Sequence, residues 1–229
     1  MGCLAEDTWL CRDCRQQVPA VPLTCIGCGR PPSPRHGRGY AGQGARTCRQ
    51  CRDRIPLTGV VSVGPYASPL LRRGIHWLKF QGVRPCAAPL AAVLADRLIA
   101  IAPLPLLRRD GLLIPIPLHG RRQRERGFNQ SADIAASLSV AAGIPATDVL
   151  TRTRFTWTQT KLPPALRVAN AAGAFTATAQ QAQLLANKRW LLLIDDVTTT
   201  GSTLSAAGAV LRPLLSQTAE VWGVTVARG

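Results

Sequence analysis

Short apolar runs and helical patterns alternate along most of the chain. The unbroken apolar run at 190–194 has the length of a strand that is buried on both faces of a parallel sheet. Similar runs predict strands at 60–66 and 112–119. Apolar residues at helical spacing predict helices at 70–81, 87–101, 131–142 and 204–214. Strands that alternate with helices indicate an α/β fold with a parallel sheet flanked by helices.

The same spacing places sets of apolar residues on one face of a predicted helix. In the helix at 131–142, Ile134, Leu138 and Ala141 fall on one face, Asn129 or Ser131 can cap the start, and Gly143 ends the helix. The helical pattern of the last helix consists of Leu204, Ala207, Val210, Leu211 and Leu214.

Two adjacent carboxylates, Asp195 and Asp196, directly follow the apolar run at 190–194. Ligands of open parallel sheets bind beyond the carboxyl ends of the strands, which is where both acids fall. Carboxylates repel an anion in direct contact, but they bind sugar hydroxyls or a divalent metal. We therefore predict that these acids contact an uncharged or cationic part of a ligand.

A loop rich in hydroxyl groups follows the acids and leads into the last helix. Its residues are Thr198, Thr199, Thr200, Gly201, Ser202 and Thr203. Hydroxyl donors and the free N–H groups of a helix start favour a bound phosphate, and a glycine lets the backbone approach it. The loop lacks the Gly-Lys-Ser/Thr of a P-loop. An ordinary capped turn is the alternative, but capping needs one hydroxyl. A phosphorylated ribose satisfies both the loop and the acids.

A basic run follows the strand predicted at 112–119. It contains Arg121, Arg122, Arg124 and Arg126, with a glycine on each side. Guanidinium groups bind phosphate oxygens in a bidentate manner, so the run predicts a polyphosphate loop with Arg121, Arg122 and Arg126 as pyrophosphate contacts. A solvated basic face is the alternative. The position at a strand end favours ligand contact.

Two further segments carry weaker predictions. Residues 151–162 alternate threonine with arginine and aromatic residues, and they are compatible with an exposed strand pair or with a lid over the site. We favour the lid, with Gln159 and Arg167 as candidate contacts. Lys79, near the end of the helix at 70–81, could reach a ligand, but we expect a solvated lysine.

Six of the eight cysteines form three Cys-x-x-Cys pairs. Two such pairs can hold one tetrahedral zinc ion, and the metal supplies much of the folding free energy of a small domain. We predict a structural Zn²⁺ at Cys25, Cys28, Cys48 and Cys51, in a zinc-ribbon domain at 1–56. Cys86 stands alone in a helical pattern, and we expect it to be a small core residue.

The remaining pair, Cys11 and Cys14, has one nearby candidate ligand, Cys3. We expect the chain to begin partway through another ribbon, either because ligands were lost or because the start lies too late. A second zinc site at Cys3, Cys11 and Cys14 is therefore an open alternative.

The amino-acid composition narrows the chemical classes of possible binding partners. The 28 Lys and Arg residues against 12 Asp and Glu give a formal charge of +16, which attracts nucleic acid, nucleotides or anionic lipid. A basic surface without a specific partner is the alternative. The charged fraction of 17% beside a hydrophobic fraction of 46% excludes a disordered chain.

The sequence shows no targeting pattern, and this predicts the cellular location of the protein. The first residues lack the pattern of a secretory signal, and the apolar stretch at 98–107 is too short and proline-rich to span a bilayer. We expect a cytoplasmic protein, whose cysteines bind metal rather than form disulfides.

These blocks together resemble the ComF/GntX-like family, in which a zinc ribbon is joined to a type I phosphoribosyltransferase domain. The segment 195–203 is similar to the signature of type I phosphoribosyltransferases, where two acids and a Thr/Gly-rich loop follow a hydrophobic strand. Other matching blocks are the cysteine pairs, Leu78-Lys-Phe80, Pro117-Leu-His119, Arg126-Gly-Phe-Asn-Gln130, Arg152, Gln159-Thr-x-Leu162 and Arg167-x-x-Asn170. The resemblance implies a type I phosphoribosyltransferase fold over 57–229.

The resemblance also implies ligands and partners. Asp195 and Asp196 would be the catalytic contacts of the ribose, and residues 198–203 would hold the 5′-phosphate of phosphoribosyl pyrophosphate with Mg²⁺. The family implies a role in DNA uptake during natural competence or in the use of external DNA, with single-stranded DNA and proteins of the uptake machinery as partners.

Two functions remain open. The chain is either an active phosphoribosyltransferase or a non-catalytic protein that binds single-stranded DNA and senses a ligand in its phosphoribosyl pocket. No residue stands out in the sequence as the acid that would protonate a base, so the sequence does not separate the two.

Overall fold

The structure is a computed structural model that describes residues 12–22, 24–31, 45–154 and 173–229. Its strands are β1 (Ala45–Arg46), β2 (Gly59–Pro65), β3 (Gly111–Pro115), β4 (Thr151–Arg152), β5 (Phe175–Thr176), β6 (Trp190–Thr198) and β7 (Glu220–Arg228). Its helices are α1 (Arg12–Gln16), α2 (Arg49–Arg52), α3 (Pro69–Phe80), α4 (Ala87–Leu98), α5 (Leu104–Asp110), α6 (Gly120–Arg126), α7 (Gln130–Ala142), α8 (Ala179–Gln183) and α9 (Ser202–Leu211).

The main sheet has the strand order β1-β2-β7-β6-β3. The strands β2, β7, β6 and β3 are parallel to their neighbours, while β1 pairs antiparallel with β2 at one edge. The strands β4 and β5 form a separate antiparallel pair. The prediction of an α/β fold with a parallel sheet flanked by helices is confirmed.

The apolar run in β6 explains why both faces of this sheet are covered. Leu192 and Ile194 belong to a core with α3, α4 and α7, whereas Leu191 and Leu193 belong to a second core with α9 and the β4–β5 pair. Successive side chains of a strand point to opposite faces, so an unbroken apolar run requires apolar partners on both sides. The carboxyl ends of β2, β3, β6 and β7 then meet at one edge of the sheet.

Two residues of the predicted helical patterns are exposed. In α7 the buried residue is Ala142, which is 1% exposed, while Ala141 faces solvent. Leu214 is also exposed, because α9 ends at Leu211 and the 3₁₀ turn at Arg212–Leu214 turns it away from the core. Asn129 caps α7 as predicted, since its side chain accepts a hydrogen bond from the N–H of Ser131 at 3.1 Å.

The cysteine-rich segment is joined to the main sheet through β1. The hydroxyl of Thr47 donates a hydrogen bond to the carbonyl oxygen of Leu57 at 2.7 Å, and Ile26 is buried in the second core with Leu57. The domain boundary between residues 56 and 57 stays a prediction.

Among the helices that are described, none has the length and apolar character needed to cross a membrane.

Candidate functional site

A cleft of about 770 Å³ opens at the edge where the carboxyl ends of the parallel strands meet. Such edges are the usual ligand sites of open α/β sheets, and the volume is in the range of small-molecule sites. The lining residues used below are Tyr66, Lys79, Phe80, Arg122, Arg126, Phe128, Ser131, Arg152, Asp195, Asp196, Thr199 and Thr203. They come from six elements, namely α3, α6, α7, α9, β4 and β6, and from the segments that connect such elements.

The two acids at the end of β6 form one hydrogen-bonded unit. The hydroxyl of Ser131 donates to Asp195 Oδ1 at 3.0 Å, and the backbone N–H of Asp196 donates to the same oxygen at 2.9 Å. Burial, and then the negative charge of Asp196, raise the pKa of Asp195 to about 7. Asp195 is therefore partly protonated at neutral pH, while its hydrogen bonds fix the carboxyl group at the cleft wall.

Asp196 is stabilised as an anion by Lys79. The ammonium Nζ of Lys79 lies 2.6 Å from Asp196 Oδ2, and the Asp196 side chain is 4% exposed. Burial alone would raise the pKa of Asp196, but the ion pair with Lys79 holds it below its ordinary value. The expectation of a solvated lysine was wrong, because α3 directs Lys79 into the cleft.

The hydroxyl-rich loop leaves β6 beside the acids. Thr198 is buried at the end of β6, Thr199 and Thr203 line the cleft, and the hydroxyl of Thr200 donates to Ser202 Oγ at 3.2 Å. Gly201 adopts φ +71° and precedes the first residue of α9. The start of α9 therefore stands at the cleft, and its N-cap residue, Gly201, has no side chain that could bind the first backbone N–H groups of the helix.

The basic run is a helix, α6, and not the predicted loop. Arg122 and Arg126 line the cleft, whereas Arg121 is not among the lining residues. Arg121 pairs at 2.9 Å with Glu125, an exposed carboxylate that does line the cleft. Because α6 is helical, residues 122 and 126 share one face and residue 121 lies on another. The side chain of Arg126 is partly withdrawn from water, and this burial lowers its pKa.

Several cleft residues were not among the candidate site residues that we predicted from the sequence. Arg152 on β4, Ser131 on α7 and Phe80 on α3 line the cleft together with Lys79. Lys79-Phe80 and Arg152 were present in the blocks that resemble the family. These blocks were the one indication in the sequence that the three residues line the cleft. The role of Ser131 as a partner of Asp195 depends on a contact 64 residues apart.

The four cysteines predicted to bind zinc form a cluster. The sulfur atoms of Cys25, Cys28, Cys48 and Cys51 all lie within 4.8 Å of one another, and Cys28 Sγ is 3.7 Å from Cys48 Sγ. Tetrahedral Zn–S bonds of about 2.3 Å place sulfur atoms about 3.8 Å apart, so this cluster fits zinc.

The backbone around Cys25 favours its thiolate, whereas contact with the neighbouring cysteines, first of all Cys48, raises the pKa of Cys51 to about 12. Burial alone would raise the pKa of Cys25, but backbone N–H groups, first of all that of Cys48, lower it to about 6. A metal-binding thiol must lose its proton, so these N–H groups assist binding. Cys86 is buried in the first core, as predicted.

Some candidate residues were found neither in the cleft nor in the four-cysteine cluster. Gln159 and Arg167 of the predicted lid, and Cys3 and Cys11 of the second zinc site, lie outside the described residues. Cys14 is half-buried beside the first core. These predictions keep that status.

Comparison with known proteins gives named relatives. No family model matches the chain. The chain is 35% identical over 169 residues to the DNA utilization protein YhgH of Shigella flexneri, which covers 71% of this chain and 70% of that protein. It is 32% identical over 164 residues to YhgH of Salmonella typhimurium, with the same coverage. It is 34% identical over 119 residues to Competence protein F of Haemophilus influenzae, covering 52% of this chain and 51% of that protein.

Proposed function

The chain belongs to the ComF/GntX-like family, and on that premise we propose that its cleft binds phosphoribosyl pyrophosphate or another ribose 5-phosphate group. The proposed biological role is in competence or the use of external DNA, as the names of YhgH and Competence protein F indicate for those relatives. Zn²⁺ at the four-cysteine cluster of a ribbon at 1–56 is part of the same proposal.

The observation that carries the proposal is the arrangement at the end of β6. One continuous wall presents carboxyl oxygens at Asp195 and Asp196, and then hydroxyls and helix N–H groups at Thr199 and Thr203. Carboxyl oxygens accept hydrogen bonds from sugar hydroxyls, and a helix start binds phosphate. A ribose with a 5′-phosphate carries both groups at this short separation.

The same cleft also contains positively charged side chains. Arg122 and Arg126 on α6 and Arg152 on β4 face the same cleft as the acids. Guanidinium groups pair with phosphate oxygens in a bidentate manner, so these arginines suit the pyrophosphate. The carboxyl oxygens of Asp195 and Asp196 fit Mg²⁺, which prefers oxygen ligands and would neutralise part of the pyrophosphate charge.

If transfer takes place, the residues act mainly by positioning and charge. Loss of pyrophosphate from the ribose leaves a carbon with cationic character, which a carboxylate such as Asp196 stabilises. Asp195 and the loop at Thr199 and Thr203 would hold the sugar in one orientation, and the arginines would take the charge of the leaving group. These roles leave the acceptor open.

Isothermal calorimetry tests the proposal. Phosphoribosyl pyrophosphate is titrated in the presence of Mg²⁺ into the wild type, into a variant with Asp195→Asn and Asp196→Asn, and into a control with Asp53→Asn and Asp96→Asn, two exposed acids. We expect binding by the wild type and the control, and a loss of at least about tenfold in affinity for the cleft variant. Equal affinity in all three proteins would contradict the proposal. Pyrophosphate release on addition of acceptors would identify an enzyme.

A second function is favoured by the net charge of +16. A protein that binds single-stranded DNA through several phosphates loses affinity steeply as salt rises, with a log–log slope near −0.7 per phosphate contact. A cleft that binds one small ligand gives a shallow slope. Titration of oligothymidylate between low and physiological salt separates the two, because a slope near zero would exclude a DNA-binding surface.

A further inference from the structure

Lys79 is held against the acids of the cleft by the packing of α3. Ile75, one helical turn before Lys79, lines the same cleft and is 2% exposed, while Leu71 and Leu78 of the same helix are buried in the first core. A helix that is anchored in this way fixes the point from which the Lys79 side chain departs. The ammonium group therefore has a defined place in the cleft.

This ammonium group occupies a position at which a cation contacts Asp196. Its Nζ atom lies 2.6 Å from Asp196 Oδ2, and the Asp196 side chain is 4% exposed. Such a short distance is typical of a charge-assisted hydrogen bond between a cation and a carboxylate. Asp195 Oδ1 already accepts hydrogen bonds from the hydroxyl of Ser131 and the N–H of Asp196. Groups of the protein therefore already bind one carboxyl oxygen of each acid.

The wider lining of the cleft is also rich in positive charge. Among the lining residues that the structure describes, four are cationic and three are acidic, namely Lys79, Arg122, Arg126 and Arg152 against Glu125, Asp195 and Asp196. The charge of Arg126 interacts with that of Asp196, and the charge of Arg152 interacts with that of Asp195. Such surroundings attract a phosphate and disfavour a free divalent cation.

A divalent cation competes with the Lys79 ammonium for Asp196. Mg²⁺ binds oxygen ligands at about 2.0–2.1 Å in octahedral geometry and loses its water reluctantly. An ion on Oδ2 would meet the ammonium at short range, where solvent and salt screen the repulsion poorly because the pair is partly buried. The remaining carboxyl oxygens can accept the hydroxyls of a sugar, and such hydrogen bonds need no metal. The ammonium thus supplies the positive charge that a metal ion would otherwise supply beside these acids.

We propose that Lys79 is the built-in counter-ion of Asp195 and Asp196 in place of a divalent cation, so that the cleft binds a ribose 5-phosphate group without Mg²⁺. The part that concerns the ligand rests on the proposed function, whereas the competition between Lys79 and a divalent cation does not. Mg²⁺ then enters the cleft only with a pyrophosphate, whose oxygens bind it. A lysine with a structural role alone would stabilise the fold and leave the response to metal unchanged.

The first experiment titrates Mn²⁺, as a probe of Mg²⁺ sites, into the full chain and measures the free ion by electron paramagnetic resonance. The variants are Lys79→Met, Lys79→Gln, and Lys79→Met combined with Asp196→Asn. The control is Lys188→Met, because Lys188 precedes β6 at the end opposite the acids and does not line the cleft. We expect both single Lys79 variants to bind one Mn²⁺ per chain at least about tenfold more tightly than the wild type and the control. The combined variant should lose this ion.

The two substitutions of Lys79 separate charge from folding. Lys79→Gln removes the charge but keeps a hydrogen-bond donor for Asp196, so it serves if Lys79→Met does not fold. Urea unfolding of each variant establishes that it is folded before metal is added. Lys79→Arg keeps the positive charge and should bind Mn²⁺ no better than the wild type does.

The second experiment titrates ribose 5-phosphate by calorimetry with and without added Mg²⁺. The wild type should bind it with the same affinity, within about twofold, in both conditions. In Lys79→Gln the uncompensated carboxylate repels the phosphate, so the affinity should fall, and added Mg²⁺ should raise it about tenfold.

The two experiments fail in different ways. If the Lys79 variants bind Mn²⁺ no better than the wild type and Lys188→Met, or if the wild type binds ribose 5-phosphate only with Mg²⁺, Lys79 is not the counter-ion and the proposed function stands on its own test. If the wild type binds no ribose 5-phosphate in either condition, the proposed function fails together with the part that concerns the ligand. The Mn²⁺ titration then decides alone whether Lys79 takes the place of a metal ion.

Discussion

Ile26 lies directly against Gly201. A Cβ atom added at Gly201 would stand 2.6 Å from Ile26 Cγ1, and no ordinary contact is that short. Ile26 lies between Cys25 and Cys28 of the four-cysteine cluster, and Gly201 belongs to the hydroxyl loop. Arg228, at the end of β7, strengthens the junction because its guanidinium donates to the carbonyl oxygen of Thr24 at 3.2 Å. The cysteine cluster therefore supports the loop that is proposed to hold the phosphate.

We predict that Gly201→Ala lowers both stability and ligand affinity. The residue has φ +71°, which costs a side-chain-bearing residue about 1–2 kcal/mol, and the contact with Ile26 adds overpacking of about 1–3 kcal/mol. Gly173→Ala is the matched control, since Gly173 has φ +67° and nothing within 4 Å of the added Cβ. Urea unfolding should show a loss for Gly201→Ala that exceeds the loss for the control. Equal losses would show that Ile26 yields to the new methyl group.

We predict that the four-cysteine cluster binds one zinc ion and that this ion supports the loop. Cys28→Ser should lower the zinc content by one equivalent per chain and weaken the binding of ribose 5-phosphate, because Ile26 loses its fixed position. Cys86→Ala changes a buried cysteine outside the cluster, so its zinc content should equal that of the wild type. Elemental analysis of the purified proteins measures the metal independently of any activity. Unchanged zinc in Cys28→Ser would contradict the assignment.

The contribution of the Lys79–Asp196 ion pair to stability can be measured with a double-mutant cycle. Lys79→Met leaves a buried carboxylate without its counter-ion, and removal of one partner of a buried pair costs about 3–5 kcal/mol. We expect a smaller loss, of about 1–3 kcal/mol, because the lysine is 28% exposed. Asp196→Asn in the same chain removes the unpaired charge and should recover part of the stability. An additive double variant in urea unfolding would show that the two groups are not coupled.

The strand β6 and its acids could be predicted because their information is local. An unbroken apolar run followed by Asp195 and Asp196 fixes a doubly buried strand and a polar end, whatever the rest of the chain does. The cysteine spacing is local in the same sense. The fold class followed from these patterns and from the alternation of strands with helices.

Two features of the cationic residues in the cleft could not be predicted, namely the contact of Lys79 with Asp196 and the helical form of the basic run. Lys79 and Asp196 are separated by 117 residues, and no pattern in either segment encodes their contact. The glycines that flank the basic run suggested a loop, but His119 caps a helix there by accepting a hydrogen bond from the N–H of Arg121 at 3.3 Å. Successive side chains of a helix point in different directions, so Arg121 and Arg122 lie on different faces of α6.

The helical form of α6 predicts that substitution of two adjacent arginines changes the ligand affinity by different amounts. Arg122→Ala should weaken the binding of phosphoribosyl pyrophosphate about ten- to 100-fold, since hydrogen bonds to charged groups contribute about 1.5–3 kcal/mol. Arg121→Ala removes the same charge one residue away, where the side chain pairs with Glu125, and should bind as the wild type does. Calorimetry with both variants checks this. Equal losses would mean that net charge, and not contact in the cleft, sets the affinity.

The raised pKa of Asp195 predicts a pH dependence of stability with a defined sign. Its pKa is about 7 in the folded protein and 3.8 in an ordinary environment, because burial and then Asp196 disfavour its charge. Between these values the folded state holds a proton that the unfolded state has lost. The free energy of unfolding therefore falls as the pH rises through this window, and the loss is complete above pH 7.

Asp195→Asn removes this titration and keeps an oxygen that accepts from Ser131 and from the N–H of Asp196. Relative to the wild type, the variant should gain stability on the order of 1–3 kcal/mol between pH 5 and pH 8. Asp110→Asn is the control, because a hydrogen bond from Arg109 lowers the pKa of Asp110 and moves its titration below this range. Urea unfolding at both pH values gives the stability difference, and carbon-13 NMR of the carboxyl groups gives the pKa directly. A midpoint near 4 for Asp195, or parallel stability curves for the variant and the wild type, would show that Asp195 is charged at neutral pH and that Lys79 neutralises both acids.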